Sequence, residues 1–171
     1  MLDREDIRCT LEDILRSGKA RAVGMAGSVE AAFVGLQAGL PIQHVQIADP
    51  PLAESPARRL ASAGPDAGYF LATHSIYGRT DPLQVLLARA GSPGRLGALL
   101  TAHGYTAPIE QAARAAVLDR ALASNPRGVV LLSMFTAAHL QDNLARLHKG
   151  SPRQAEALFQ ELTLIGAHAP A

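Results

Sequence analysis

A short apolar segment that leaves a Gly-Lys turn, passes through glycines and ends on a serine able to cap a helix has few ways to fold. Ser17-Gly18-Lys19-Ala20-Arg21-Ala22-Val23-Gly24-Met25-Ala26-Gly27-Ser28 has this form, and His44-Val45-Gln46-Ile47-Ala48-Asp49-Pro50-Pro51-Leu52 supplies a second short apolar run. Between them Val29, Ala32, Phe33 and Leu36 recur at helical spacing, and Gly39 and Pro41 close that helix. The spacing predicts strands over 21–26 and 44–48 joined by a crossover helix. Such a connection pairs strands in parallel, so the segment reads as a βαβ unit. Pro50 and Pro51 have no amide hydrogen to give a ladder, and the chain must turn there.

The same alternation continues along the chain. Upstream, Thr10 with Asp13 three residues on predicts a helix over 10–17 whose apolar face is Leu11, Ile14 and Leu15, stopped by Gly18. Downstream, 53–63 reads as a short helix with Leu60 inward, Gly64-Pro65-Asp66-Ala67 as a turn, and 68–74 as a third strand. Residues 75–93, punctuated by Gly78, Pro82, Gly91 and Pro93, read as an irregular loop with helical turns only over 83–90. A loop of that length marks either function or disorder. Helices follow over 95–102, with Leu96, Leu99 and Leu100 aligned, and over 108–124, with Ile109, Ala112, Ala113, Ala116, Val117 and Ala121 aligned. Asn125-Pro126 ends the second, because a residue before proline leaves helical geometry. Val129-Val130-Leu131-Leu132 is a fourth strand, apolar on both faces as buried parallel strands are. Thr136 caps a helix through Leu147, and Ser151-Pro152 opens a last one over 151–164. The predicted class is α/β, with four parallel strands alternating with helices in a single domain.

Composition removes several function classes. With 171 residues, 48% of them hydrophobic, the chain buries one domain's core. Sixteen basic and 15 acidic residues give a net charge of +1 without clustering, so neither nucleic acid nor an anionic membrane is an expected partner. No apolar run approaches the ~20 residues that span a bilayer. Cys9 is the single cysteine and has no internal disulfide partner. The charged start Met1-Leu2-Asp3-Arg4-Glu5-Asp6 does not read as a signal peptide, and a cytoplasmic location is the expectation.

No self-contained catalytic motif is present: no phosphate loop, no serine elbow between glycines, no cysteine pairs. The six histidines, His44, His74, His103, His139, His148 and His168, lack metal-ligand spacing, and no metal is expected. Gly24-Met25-Ala26-Gly27 lacks the third glycine of a dinucleotide fingerprint. Taken in order, however, four segments resemble the C-terminal half of the aldo/keto reductases, the NAD(P)H-dependent (β/α)8-barrel family. Gly18-Lys19-Ala20-Arg21-Ala22-Val23-Gly24 resembles the family's Gly-Lys-x-Arg-x-Ile-Gly approach to barrel strand five. Val45-Gln46 resembles strand six, Gly68 to Ser75 strand seven, and Val129 to Asn143 strand eight with the helix after it. The resemblance covers about residues 10–150 and implies half of a TIM-type barrel, with 151–164 as an extra C-terminal helix.

The resemblance implies roles residue by residue. Gln46 matches the glutamine that holds the nicotinamide carboxamide, a task suited to an amide that donates and accepts. It is equally a group able to satisfy backbone at the strand's end. His74 falls where the family stacks a flat side chain on the nicotinamide, or is a strand-end histidine bonded to a neighbouring loop. Ser75 either meets a phosphate or caps a turn. Asn143 matches an asparagine that meets the adenine ring. Ser133 and His139 stand where the family grips the 2′-phosphate of NADP with lysine and arginine. Losing those two charges leaves the choice between NAD and NADP open.

Other departures bear on activity. Ala26-Gly27 replaces a Ser-Asn pair that contacts the nicotinamide. The family's catalytic aspartate, tyrosine, lysine and histidine belong to the first barrel half, and nothing before Asp3 supplies them. The tyrosines are Tyr69, Tyr77 and Tyr105, and neither Lys19 nor Lys149 lies on a strand beside one, so no catalytic residue is assigned. Four parallel strands leave two open edges and an apolar face. The expectation is therefore an aldo/keto reductase-like cofactor half that binds a nicotinamide dinucleotide and is inactive alone. Its open face needs a second copy or a separate N-terminal half-barrel as cover. The alternative is a non-catalytic half-barrel interaction or dimerisation module.

Overall fold

Small polar residues placed one position ahead of apolar-periodic segments set where most helices begin. The structure is a computed structural model that describes residues 5–51, 54–62, 68–78, 81–134 and 136–167. In order along it are α1 (Glu5–Arg16), β1 (Val23–Gly27), α2 (Val29–Gln37), β2 (Ile42–Ala48), α3 (Pro56–Ser62) and β3 (Phe70–His74). Then come α4 (Pro82–Ala90), α5 (Pro93–Ala102), α6 (Ile109–Ser124), β4 (Val129–Val130), α7 (Ala137–Lys149) and α8 (Pro152–Ala167). Side-chain oxygens of Ser28, Asp81, Ser92 and Thr136 accept from the first-turn amides of α2, α4, α5 and α7. Each satisfies a donor that the helix itself leaves unpaired.

The four strands form one all-parallel sheet in the order β1-β2-β3-β4. Every connection therefore advances one strand in the same direction, and crossovers of one hand put their helices on one face. Burial follows. Val45 and Ile47 of β2, each 1% exposed, and Leu71 and Thr73 of β3 face the helices. His44, Gln46, Phe70 and Val129 are exposed on the opposite face. Gly24 of β1 is required beside His44: a Cβ there would lie 2.8 Å from the His44 Cβ and carbonyl oxygen.

Two main cores result. The sheet core joins Val29 and Ala32 of α2, Leu60 of α3 and the inward side chains of β2 and β3. The larger core is helical, with Leu86 of α4, Leu96 and Leu100 of α5, Val117 of α6, and Leu158 and Leu162 of α8. Ile76, Leu118 and Ala121 form a smaller cluster beneath β4. Each fully buried leucine or isoleucine contributes roughly 1.5–3 kcal/mol.

Several boundaries differ from the sequence pattern. α1 begins at Glu5 and places Thr10 mid-helix, where its hydroxyl donates to the Asp6 carbonyl at 2.7 Å instead of capping. Within 75–93, a nine-residue helix, α4, is capped by Asp81 and ended by Gly91 at φ +82. β4 keeps only Val129 and Val130 of the expected four residues. The last helix runs over Pro152–Ala167, beyond 151–164. The expected turn over 64–67 lies outside the described residues.

Candidate functional site

β3 delivers His74 to the carboxyl end of the sheet, and the chain then reverses sharply. Ser75 takes φ +54, in the left-handed region that side chains other than glycine seldom adopt. The Gly78 amide donates to the Ser75 carbonyl at 2.7 Å, and Ile76 is driven into the core at 2% exposure. His74 Nδ1 lies 2.9 Å from Ser75 Oγ, so these side chains bond to each other. Next to β3, the Leu131 amide donates to the Thr73 carbonyl at 2.7 Å as β4 ends, and the chain runs through Ser133 to the Thr136 cap of α7.

Between these strand ends and helices α6 and α7 lies a cavity of about 750 Å³. His74, Ser75, Ser133, His139 and Asn143 all line it. His139 and Asn143, four residues apart on α7, share one helix face. Gln46 is not among the lining residues. It stands on the open sheet face, paired in register with Ala26 and Ala72.

The cavity also takes side chains that the sequence reading did not select. Gln111 and Arg114 come from α6, and Arg146 and Lys149 from the last turn of α7. On α6 the only signal was spacing, since Gln111 and Arg114 share a face with buried Leu118 and otherwise read as solvated. Tyr77, one of the three tyrosines, follows β3, is half-buried against both helical clusters and lines the cavity too. Burial pushes its phenol above the ordinary value, against the opposing influence of Arg114.

One buried network holds the α7 wall in place. The Asp119 side chain is fully buried on α6 and accepts from Arg146 Nε at 2.9 Å, from Arg146 Nη2, from Tyr105 Oη at 3.0 Å and from the Ser151 amide at 3.2 Å. A carboxylate with four donors has its charge well satisfied. Burial and the Asp119 carboxylate push the Tyr105 phenol far up, so it stays a donor. Gly150 is needed at this point, because a Cβ would strike the Asp119 carboxylate and the Arg146 carbonyl.

Chemically, the cavity offers two serine hydroxyls, two amides, two imidazoles and the cations Arg114 and Lys149 against an apolar floor of Ile76, Leu118 and Leu131. That set suits a ligand with flat or apolar parts and anionic groups. A second cavity of about 550 Å³ between α3 and α8 contains none of the six candidates, and two of its arginines are paired with carboxylates. There Arg58 pairs with Glu156 at 2.8 Å, and Arg59 pairs with Glu30 at 3.0 Å.

Among the described residues no group of three or more metal-ligating side chains comes together, and no helix is long and apolar enough to cross a membrane. Compared with known proteins, the chain matches no family model and no curated sequence.

Proposed function

We propose that this chain is a half-barrel relative of the aldo/keto reductases whose cavity between α6 and α7 holds a nicotinamide dinucleotide, NAD or NADP. The observation that carries the reading is convergence. Five candidates scattered from residue 74 to residue 143 line one cavity at the carboxyl ends of β3 and β4. In barrels of parallel strands this is the end where ligands bind. Four parallel strands in sequential order, with helices on one face only, are also what half of such a barrel requires.

The donor set fits the group. Asn143 and His139 offer hydrogen bonds to an adenine edge, Ser75 and Ser133 offer hydroxyls to phosphate oxygens, and Arg114 and Lys149 neutralise phosphate charge. Bound there, the dinucleotide supplies hydride chemistry. The chain's own residues bind and orient it, and none of them forms the family's Asp/Tyr/Lys/His set that gives a proton to the developing alkoxide. The chain alone is therefore a binding half, and carbonyl–alcohol oxidoreduction needs the other half.

Fluorescence titration with NADH and NADPH tests this. Micromolar binding is expected, weakened about tenfold, or ~1.4 kcal/mol, by Asn143→Ala and unchanged by Val34→Ala on the exposed side of α2, away from the cavity. No binding of either dinucleotide up to millimolar concentration would sink the reading. Gln46→Ala separates the cavity from the open face, because only a ligand that crosses the sheet loses affinity. Carbonyl reduction by the purified chain would refute the statement that it binds without reducing.

A second reading, a non-catalytic interaction module, is favoured by the uncovered sheet face with exposed Phe70 and Val129. A stable complex made through that face by a chain with no dinucleotide affinity would select it.

A further inference from the structure

We infer that the open face of the sheet is covered by a second copy of this chain. β1 of each copy lies beside β4 of the other, so that eight parallel strands close around a twofold axis. The inference rests on the half-barrel reading above and not on the ligand.

The face is built to be buried. Phe70 and Val129, on neighbouring strands, are 41% and 42% exposed on it, and the His44 and Phe70 rings meet edge to face at 5.8 Å. Single exposed apolar side chains are ordinary, but a row of them across adjacent strands marks an interface. Both sheet edges also present unpaired backbone groups, which natural sheets seldom leave open.

Geometry favours a copy of the same chain. The strands are all parallel in sequential order, so a cover that extends the sheet must offer a parallel strand at both edges. A twofold rotation about an axis running with the strands keeps their direction and brings β1 of one copy to β4 of the other, twice. The count is also right, since eight strands is the number at which side chains fill a barrel's interior.

The flanking helices match in spacing. α1 leads into β1 and has no buried residue, and its Ile7, Leu11 and Ile14 are only half covered. α7 follows β4, and its Leu140, Leu144 and Leu147 are 42%, 48% and 55% exposed. Both stripes step by four and then three residues, the spacing with which helices pack side by side. α1 carries Glu5, Asp6, Glu12 and Asp13 against Arg8 and Arg16, while on α7 Arg146 is held by Asp119 and Lys149 is balanced by Asp142. The net negative charge of α1 disfavours packing it against its own copy, a penalty that pairing with α7 avoids.

Sedimentation equilibrium at micromolar concentration tests the inference. The expected mass is twice 17.9 kDa. The double variant Leu140→Glu/Leu144→Glu should weaken dimerisation on the order of a hundredfold, while Val34→Glu on α2 leaves it intact. Should the double variant lose its circular-dichroism signal, Leu11→Glu on α1, a helix with no buried residue, supplies the second test, with weaker dimerisation expected. A single-chain mass for the natural sequence overturns the inference. So does a dimer indifferent to the α1 and α7 substitutions, or a chain that stays single until a separate four-strand partner is added. Dinucleotide titration reports on the cavity independently: a dimer without ligand affinity keeps this inference and removes only the ligand.

Discussion

Asp49, at the end of β2, is 1% exposed and divides its carboxylate unequally. Oδ1 accepts from Ser55 Oγ at 2.7 Å and from the Ala57 amide at 3.4 Å, while Oδ2 is buried without a partner. Burial pushes this carboxyl above its ordinary value, and the Ser55 hydrogen bond and the Arg120 charge only partly offset it. The sign of the linkage follows. A carboxyl whose folded pKa is raised favours the fold while protonated, and that contribution fades as pH climbs from the ordinary carboxylate range through the raised value. Asp49→Asn keeps an acceptor for Ser55 and cannot ionise. Its melting temperature is expected to equal that of the natural chain in strong acid and to exceed it at neutral pH. A variant less stable at neutral pH than in acid, relative to the natural chain, contradicts this account.

At the scale of elements, α7 is the wall on which the cavity depends, and it is tied to the rest by its last turn. Removing the Asp119 side chain leaves buried Tyr105 and partly buried Arg146 without their acceptor, so Asp119→Ala should cost about 3–5 kcal/mol in urea unfolding. It should also weaken dinucleotide binding, since α7 carries His139 and Asn143. How much of this was legible in the sequence depended on range. Ser28 and Thr136 announce their helices because a cap acts on amides two or three residues away. Thr10 misled because Ile7 extends the apolar stripe upstream, and a threonine within a helix can bond back to a carbonyl four residues earlier. β4, an edge strand paired only with β3, keeps two residues. The Asn125 amide does part of the ladder's work, donating to the Leu71 and Val129 carbonyls at 3.1 and 3.2 Å. Gln46 was grouped with His74 through the resemblance, yet the cavity closes only around the last two strands and α6 and α7. Arg114 escaped notice, and Lys149 was weighed only as a partner for a tyrosine, for the converse reason: a cation on a helix face reads as solvated until the fold shows what it lines.

For the molecule as a whole, the sheet core and the helical core meet across a polar junction. The Arg120 guanidinium lies 4.6 Å from the Phe159 ring centre and donates to the Pro50 carbonyl at 3.3 Å. Burial, with Arg89 and Arg58 nearby, draws its pKa down to about 10, so it keeps its charge at physiological pH. Arg89 donates to the Pro51 carbonyl at 2.8 Å, and Arg58 bridges to Glu156 on α8. The proline pair that ends β2 thus offers its carbonyls to arginines from two helices of the other core. Two apolar bodies fastened by charged stitches answer to different solution variables. Salt screens the half-exposed Arg58–Glu156 pair and leaves a packed interior such as that around Leu158 untouched. Native-state hydrogen exchange should find the amides of α6 and α8 among the slowest at any ionic strength, while those of α3 exchange faster as salt rises. In use, the chain would breathe at its seam and not in its cores, with the ionic strength around it setting the pace.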